Sequence, residues 1–210
     1  MPEPECVDDA NSPIDLFPML DAFLSATFPQ EMQLSVGYYG SNFGNVKRKV
    51  FVSYHHAGDQ AYYNAFSQRF HDNYDVISDN SLERRVNSDD AEYVMRNIRE
   101  NYITGSSCTI VLVGNQTWGR RYVDWEIKAT LDRQHSLIGV QLPSLRPLPN
   151  GLYSVPGRLH DNIQSGYALW VTWADITSSP QRCAGLIEAA ASRNRVFIMN
   201  GRDRLVRNLA

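Results

Sequence analysis

Five short runs of the chain are rich in apolar and β-branched residues: "KVFVSY" from Lys49, "YDVI" from Tyr74, "SCTIVLVG" from Ser107, "SLIGVQL" from Ser136 and "YALWVTWADI" from Tyr167. They read as strands, mostly buried on both faces. Between them the period changes to that of a helix. After the helix-starting Asp59, Tyr62 or Tyr63, Phe66 and Phe70 recur at helical spacing. A second helix, near 88–102, opens on Ser88, Asp89, Asp90 and Glu92 and has Ala91, Val94, Met95, Ile98 and Tyr102 as its inner stripe. Two more are predicted near 120–134 and 179–192. Strands apolar on both faces, alternating with helices, predict an α/β fold with a parallel sheet covered on both sides. Such sheets bind ligands beyond the carboxyl ends of their strands, where "SYHHAGD", "GNQTWGRR" and the loop after Leu142 should meet.

The pattern divides the chain into an amino-terminal extension over 1–46, one α/β domain over 47–195 and a carboxyl-terminal tail over 196–210. The extension holds a short predicted helix near 18–27 and the turn-rich "GYYGSNFGN". Within the domain, "SDNSLERRVN" reads as an exposed loop, and Pro143, Pro147, Pro149, Pro156 and the Asn150-Gly151 turn mark a second, longer loop.

One residue breaks the helical pattern. Wound at about 100° per residue, "GNQTWGRRYVDWEIKATLDRQ" puts Trp118, Tyr122, Trp125 and Ala129 on one apolar stripe and Val123, Ile127 and Leu131 on another. Arg121, Asp124, Lys128 and Asp132 share the charged face. Glu126 falls between the apolar stripes, where a solvated carboxylate is not normally placed. Two readings stand: a buried ion pair with an arginine such as Arg120 or Arg133, or a carboxylate held at a cleft edge to act on a substrate.

Composition narrows the partners. A net charge of -3 gives no broad attraction to nucleic acid or to anionic lipid. The acidic start "MPEPECVDD" does not resemble an export signal, and no apolar run approaches the roughly 20 residues that span a membrane. Cys6, Cys108 and Cys183 lack metal-ligand spacing and fit a reducing, cytoplasmic setting. The adjacent His55 and His56 cannot both face one metal from an extended chain, so no metal is expected. The usual dinucleotide, nucleoside-triphosphate and hydrolase motifs are absent, Ser53 lacks a nucleophile elbow, and Arg84-Arg85 and Arg120-Arg121 read as solvated loop charges.

"VFVSYHHAGD", from Val50 to Asp59, resembles the first strand and loop of TIR domains, and "CTIVLVGNQTWGRRYVDWEI" resembles the strand and helix of the TIR-like proteins of Thoeris antiviral defence. In that family an aromatic precedes the catalytic glutamate by a few residues, which maps onto Tyr122 and Glu126. Tyr122 stands where TIR domains often have tryptophan, and "SDNSLERRVN" departs from the segment through which animal TIR domains associate. The resemblance covers about residues 48–175 and implies a flavodoxin-like five-stranded parallel sheet with helices on both faces. It implies NAD as substrate, cleavage of the nicotinamide-ribose bond, and a cyclic or conjugated ADP-ribose signal for a separate effector protein. It further implies self-association for activity, with Phe51, Ser53 and Tyr54 lining the nucleotide site and His55 and Trp118 bordering it. A TIR-type interaction module without catalysis, and a nucleoside deoxyribosyltransferase-like enzyme, are the alternatives.

Overall fold

The computed structural model describes residues 48–77 and 91–209, the side chains of Arg48, Ile77, Ala91, Glu92, Arg99 and Tyr102 excepted. The predicted extension, the loop "SDNSLERRVN" with Arg84-Arg85, Cys6, and the helix start at Ser88, Asp89 and Asp90 lie outside the described residues.

The apolar runs become β1 (Arg48–Ser53), β2 (Tyr74–Ile77), β3 (Ser106–Val113), β4 (Ser136–Gln141) and β5 (Leu169–Thr172). All pairs are parallel, and the strand order is β2-β1-β3-β4-β5. This is the flavodoxin-like order, whose switch point lies between β1 and β3 and opens a crevice beyond their carboxyl ends.

Helices α1 (His56–Phe70), α5 (Trp173–Ile176) and α6 (Pro180–Ala191) cover one face. There Val50, Val52 and Tyr54 of the first strand and its exit pack with Phe66, Phe70, Ile110, Leu112, Leu186 and Ile187. The buried thiols Cys108 and Cys183 belong to the same cluster, and burial pushes both pKa values up. The other face carries α2 (Ala91–Asn97), continued by a π-helical stretch over Ile98–Ile103, then α3 (Arg121–Asp132) and α4 (Gly157–Gln164). The two apolar stripes of α3 feed two clusters: Val123, Ile127 and Leu131 join Val111, Leu137 and Leu159, while Trp125 and Ala129 join Phe51, Met95 and Ile98. One helix thus bridges two half-cores.

Three local expectations change. The last strand stops at Thr172, because the Thr172 hydroxyl accepts the Asp175 amide at 3.1 Å and starts α5 over residues read as strand. The long proline loop contains α4, which follows Pro156. Its Leu159 and Ile163 face the sheet, while Arg158 and Asn162, also four residues apart, are fully buried polar groups and so hid the helix from a reading based on apolar spacing. Asp124, assigned to the charged face of α3, is only 3% exposed. It receives Arg158 Nε at 2.9 Å and Nη2 at 3.4 Å.

The residues assigned to the tail supply the other half of this polar centre. Arg158 Nη1 donates to Asn200 O and Oδ1, and Nη2 donates to the carbonyls of Arg202 and Asp203. Asn162 pairs with Met199 in both directions, donating at 2.7 Å and accepting at 3.0 Å. Arg158→Met leaves the Asp124 carboxylate buried without its guanidinium and is expected to cost about 3–5 kcal/mol in urea unfolding. Arg158→Met with Asp124→Leu should recover part of that loss, since the stranded charge is gone.

Candidate functional site

The site is built at the switch point. β1 ends at Ser53, and the carbonyl of His55 accepts the amides of Gly58 at 3.2 Å and Asp59 at 2.8 Å, which turns the chain into α1. His55 is buried at 6% exposure. In the first turn of α1, Asp59 reaches across to the loop after β3. Thr117 Oγ1 donates to Asp59 Oδ2 at 2.8 Å and accepts the Gly114 amide at 2.9 Å. Gly114 is required by space: a Cβ there would lie 2.1 Å from Asp59 Oδ1. This lock joins the exits of β1 and β3 and sets the course of the chain through Trp118 into α3.

Glu126 is 5% exposed. Its depth follows from register. One turn later, Thr130 Oγ1 lies 2.8 Å from Thr109 Oγ1 on β3 and donates to the Glu126 carbonyl at 2.8 Å. A helix turn is about 5.4 Å and two strand residues about 6.6 Å, so Glu126 stands level with Val111, whose registered neighbour on β1 is Ser53. Phe51 packs in the cluster that holds Trp125, and alternation turns Ser53 to the same face. The buried Ser53 Oγ has no hydrogen-bond partner among the described residues. A buried hydroxyl without a partner costs about 1–3 kcal/mol, and a polar ligand group entering the crevice would satisfy it.

The structure therefore brings Phe51, Ser53 and Glu126 to one side of the sheet, with Trp118 half-buried on a short 3-10 turn (Thr117–Gly119) at the entry to α3. Tyr54 points to the opposite face, where it stacks on Tyr63 at 4.8 Å and donates to Gln60 Oε1 at 2.9 Å. Tyr122 packs edge-on against Trp125 and receives Arg121 Nη2 at 2.7 Å. Of the two arginines expected beside Glu126, Arg120 bonds Gln116 O and Oε1, and Arg133 lies exposed beyond the far end of α3. A surface depression of about 360 Å³ lined by Arg96, Glu100, Asp132 and Arg133 sits at that far end, away from the strand exits.

The sequence marks Asp59 as a helix start and as the acid that ends the stretch resembling TIR domains, and singles out neither Gly114 nor Thr117. The available signal was a glycine closing an apolar strand with a hydroxyl three residues on, which marks a close approach to the backbone.

Residues 51–147 match the family model described as the TIR-like domain of the Thoeris protein ThsB. A search of curated proteins returned no match.

Thr117→Val strands both the Asp59 carboxylate and the Gly114 amide and should cost about 3 kcal/mol in urea unfolding, whereas Thr117→Ser should cost under about 1 kcal/mol. Asp59 gives a second test. Burial holds its carboxyl above the usual 3.8, with the Thr117 hydroxyl and nearby His55 opposing the shift. The folded state therefore binds that proton more tightly than the unfolded chain does. The contribution is fully present below 3.8 and is lost as pH rises through the raised value. In Asp59→Asn this loss disappears, so its thermal midpoint relative to the parent should climb between about pH 3.5 and 7. A difference that stays flat would show that the carboxylate carries no burial cost.

Proposed function

Residues 51–147 belong to the TIR-like domain family of the Thoeris protein ThsB, an antiviral-defence family, and on that premise we propose that this chain consumes NAD. It cleaves the bond between nicotinamide and ribose and passes the ADP-ribose on as a cyclic or conjugated signal to a separate effector protein. The observation that carries the reading is the buried Glu126, held on the sheet-facing side of α3 level with the Ser53 hydroxyl, which has no hydrogen-bond partner among the described residues.

The chemistry asks for a carboxylate at such a place. Nicotinamide departs with the electron pair of its bond to ribose, leaving an oxocarbenium-like carbon. Glu126 faces the growing positive charge and binds the ribose hydroxyls, so its interaction is stronger in the transition state than in the ground state. Glycosidases use a related charge pattern. Ser53 donates to a hydroxyl or phosphate oxygen of the same nucleotide, and Phe51 supplies an apolar floor. Trp118 and His55 border the crevice and limit water, so a ribose hydroxyl attacks the carbon and loses its proton, or an adenine ring nitrogen attacks with its lone pair and the resulting charge is relieved by loss of a proton from the exocyclic amine. A second copy of the chain completes the site, and a cytoplasmic setting supplies the NAD.

Purified protein is incubated with NAD, with and without lysate from phage-infected cells, and nicotinamide and ADP-ribose species are followed by mass spectrometry. Glu126→Gln should lower nicotinamide release by about 10²-fold or more while unfolding as cooperatively as the parent. Turnover by Glu126→Gln at the parent rate would remove the assignment. Intact NAD with the parent in every condition would assign the domain to protein interaction instead.

A further inference from the structure

The segment 200–209 has no helix or strand of its own and runs along the face of α3 that carries Arg121, Asp124, Lys128 and Asp132. Its bonds run from the entry of the helix to its last turn. The Leu209 amide donates to Gly119 O at 2.8 Å. Asn208 Oδ1 accepts the Arg121 amide at 3.0 Å, in the first turn, where helix amides have no internal partner. Leu205 holds α3 twice: its amide donates to Asp124 Oδ2 at 3.0 Å, and its carbonyl accepts Trp125 Nε1 at 2.8 Å. Asn200 Nδ2 reaches Lys128 O at 3.3 Å and Asp132 Oδ1 at 2.8 Å.

These contacts bracket Glu126. Asp124 and Trp125 precede it and Lys128 follows, and two residues of helix turn the side chain by about 200°. A grip on Asp124 from outside therefore fixes where Glu126 points inside. The apolar stripes of α3 press on the sheet from two clusters, and apolar contact is non-directional. The polar bonds of the segment are directional and select one rotation and one depth.

We propose that the segment 200–209 is a positioning strap that sets the Glu126 carboxylate against the ribose. This rests on the NAD-consuming function proposed for the same site. Misplacement of a reacting group by about 1 Å costs about 10²-fold in rate, so the strap acts on turnover more than on substrate binding.

Two variants of the chain loosen the strap from opposite sides and leave Phe51, Ser53, Trp118 and the residues of α3 unsubstituted. Leu205→Pro with Asn208→Ala deletes the amide that reaches Asp124 and the acceptor that caps Arg121. Gly119→Ala places a Cβ 2.9 Å from Leu209 Cβ and 3.0 Å from its carbonyl oxygen, which forces the strap away. In both variants kcat for nicotinamide release should fall about 10-fold to 100-fold, with KM for NAD within about threefold and cooperative thermal unfolding retained. Asn208→Asp, which keeps the acceptor, should hold kcat within about twofold of the parent.

Parent kcat in either loosened variant, a raised kcat, or a fall that only tracks lost folded protein overturns the strap. If the parent itself releases no nicotinamide, the NAD reading fails separately. Amide hydrogen exchange over 121–132 then decides the strap: faster exchange in both variants supports it, and unchanged exchange overturns it.

Discussion

A guanidinium with no exposed surface organises the half of the molecule that carries the candidate site. Arg158 sits on α4, pairs with Asp124 on α3, and takes its remaining acceptors from the backbone and the Asn200 side chain of the last segment. Removing a guanidinium from water costs several kcal/mol, and this is offset only when nearly every N–H finds an oxygen in good geometry. Three separate pieces of chain must therefore arrive together. The face with α1 and α6 has no comparable centre among its described residues and is held by apolar packing.

The sheet and its helix layers were legible because the strands are apolar on both faces and the helices interrupt them at regular intervals, a pattern that only a parallel sheet accommodates. The anomaly of Glu126 was legible for a related reason: a carboxylate on the sheet side of α3 violates the helical wheel. Polar burial was not legible. Asp124 lies on the charged side of α3 by angle, and nothing local reveals that Arg158, 34 positions later, will cover it. The helix α4 was missed because two of its buried residues are Arg158 and Asn162. Their partners outside α4 lie 34 to 45 residues away, beyond the reach of any local window.

The candidate site repeats that division. Phe51 and Ser53 fall on the side of Glu126 by simple alternation from β1, whereas Tyr54 turns to the opposite face. The lock of Asp59, Thr117 and Gly114 needs the parallel pairing of β1 with β3 before its members meet, so spacing alone could not find it. It also shows where stability has been given up. A carboxyl whose pKa is raised by burial and a serine hydroxyl without a hydrogen-bond partner among the described residues sit at neighbouring strand exits. Functional crevices characteristically concentrate such costs.

The order of synthesis adds a further consequence. α3 and the residues that hold its outer face are separated by some 80 positions, as between Trp125 and Leu205. A chain emerging from the ribosome can pair its first three strands and dock the apolar stripes of α3 early, since domains fold progressively during synthesis. The Arg158 centre and the outer bonds of α3 close only after 200–209 has been made, and that late closure carries the entropy of a long loop. A nascent chain therefore presents a formed sheet with an unfinished helix. Under the NAD-consuming function proposed above, the carboxylate on α3 would reach its working position only with this last closure, after translation of the segment.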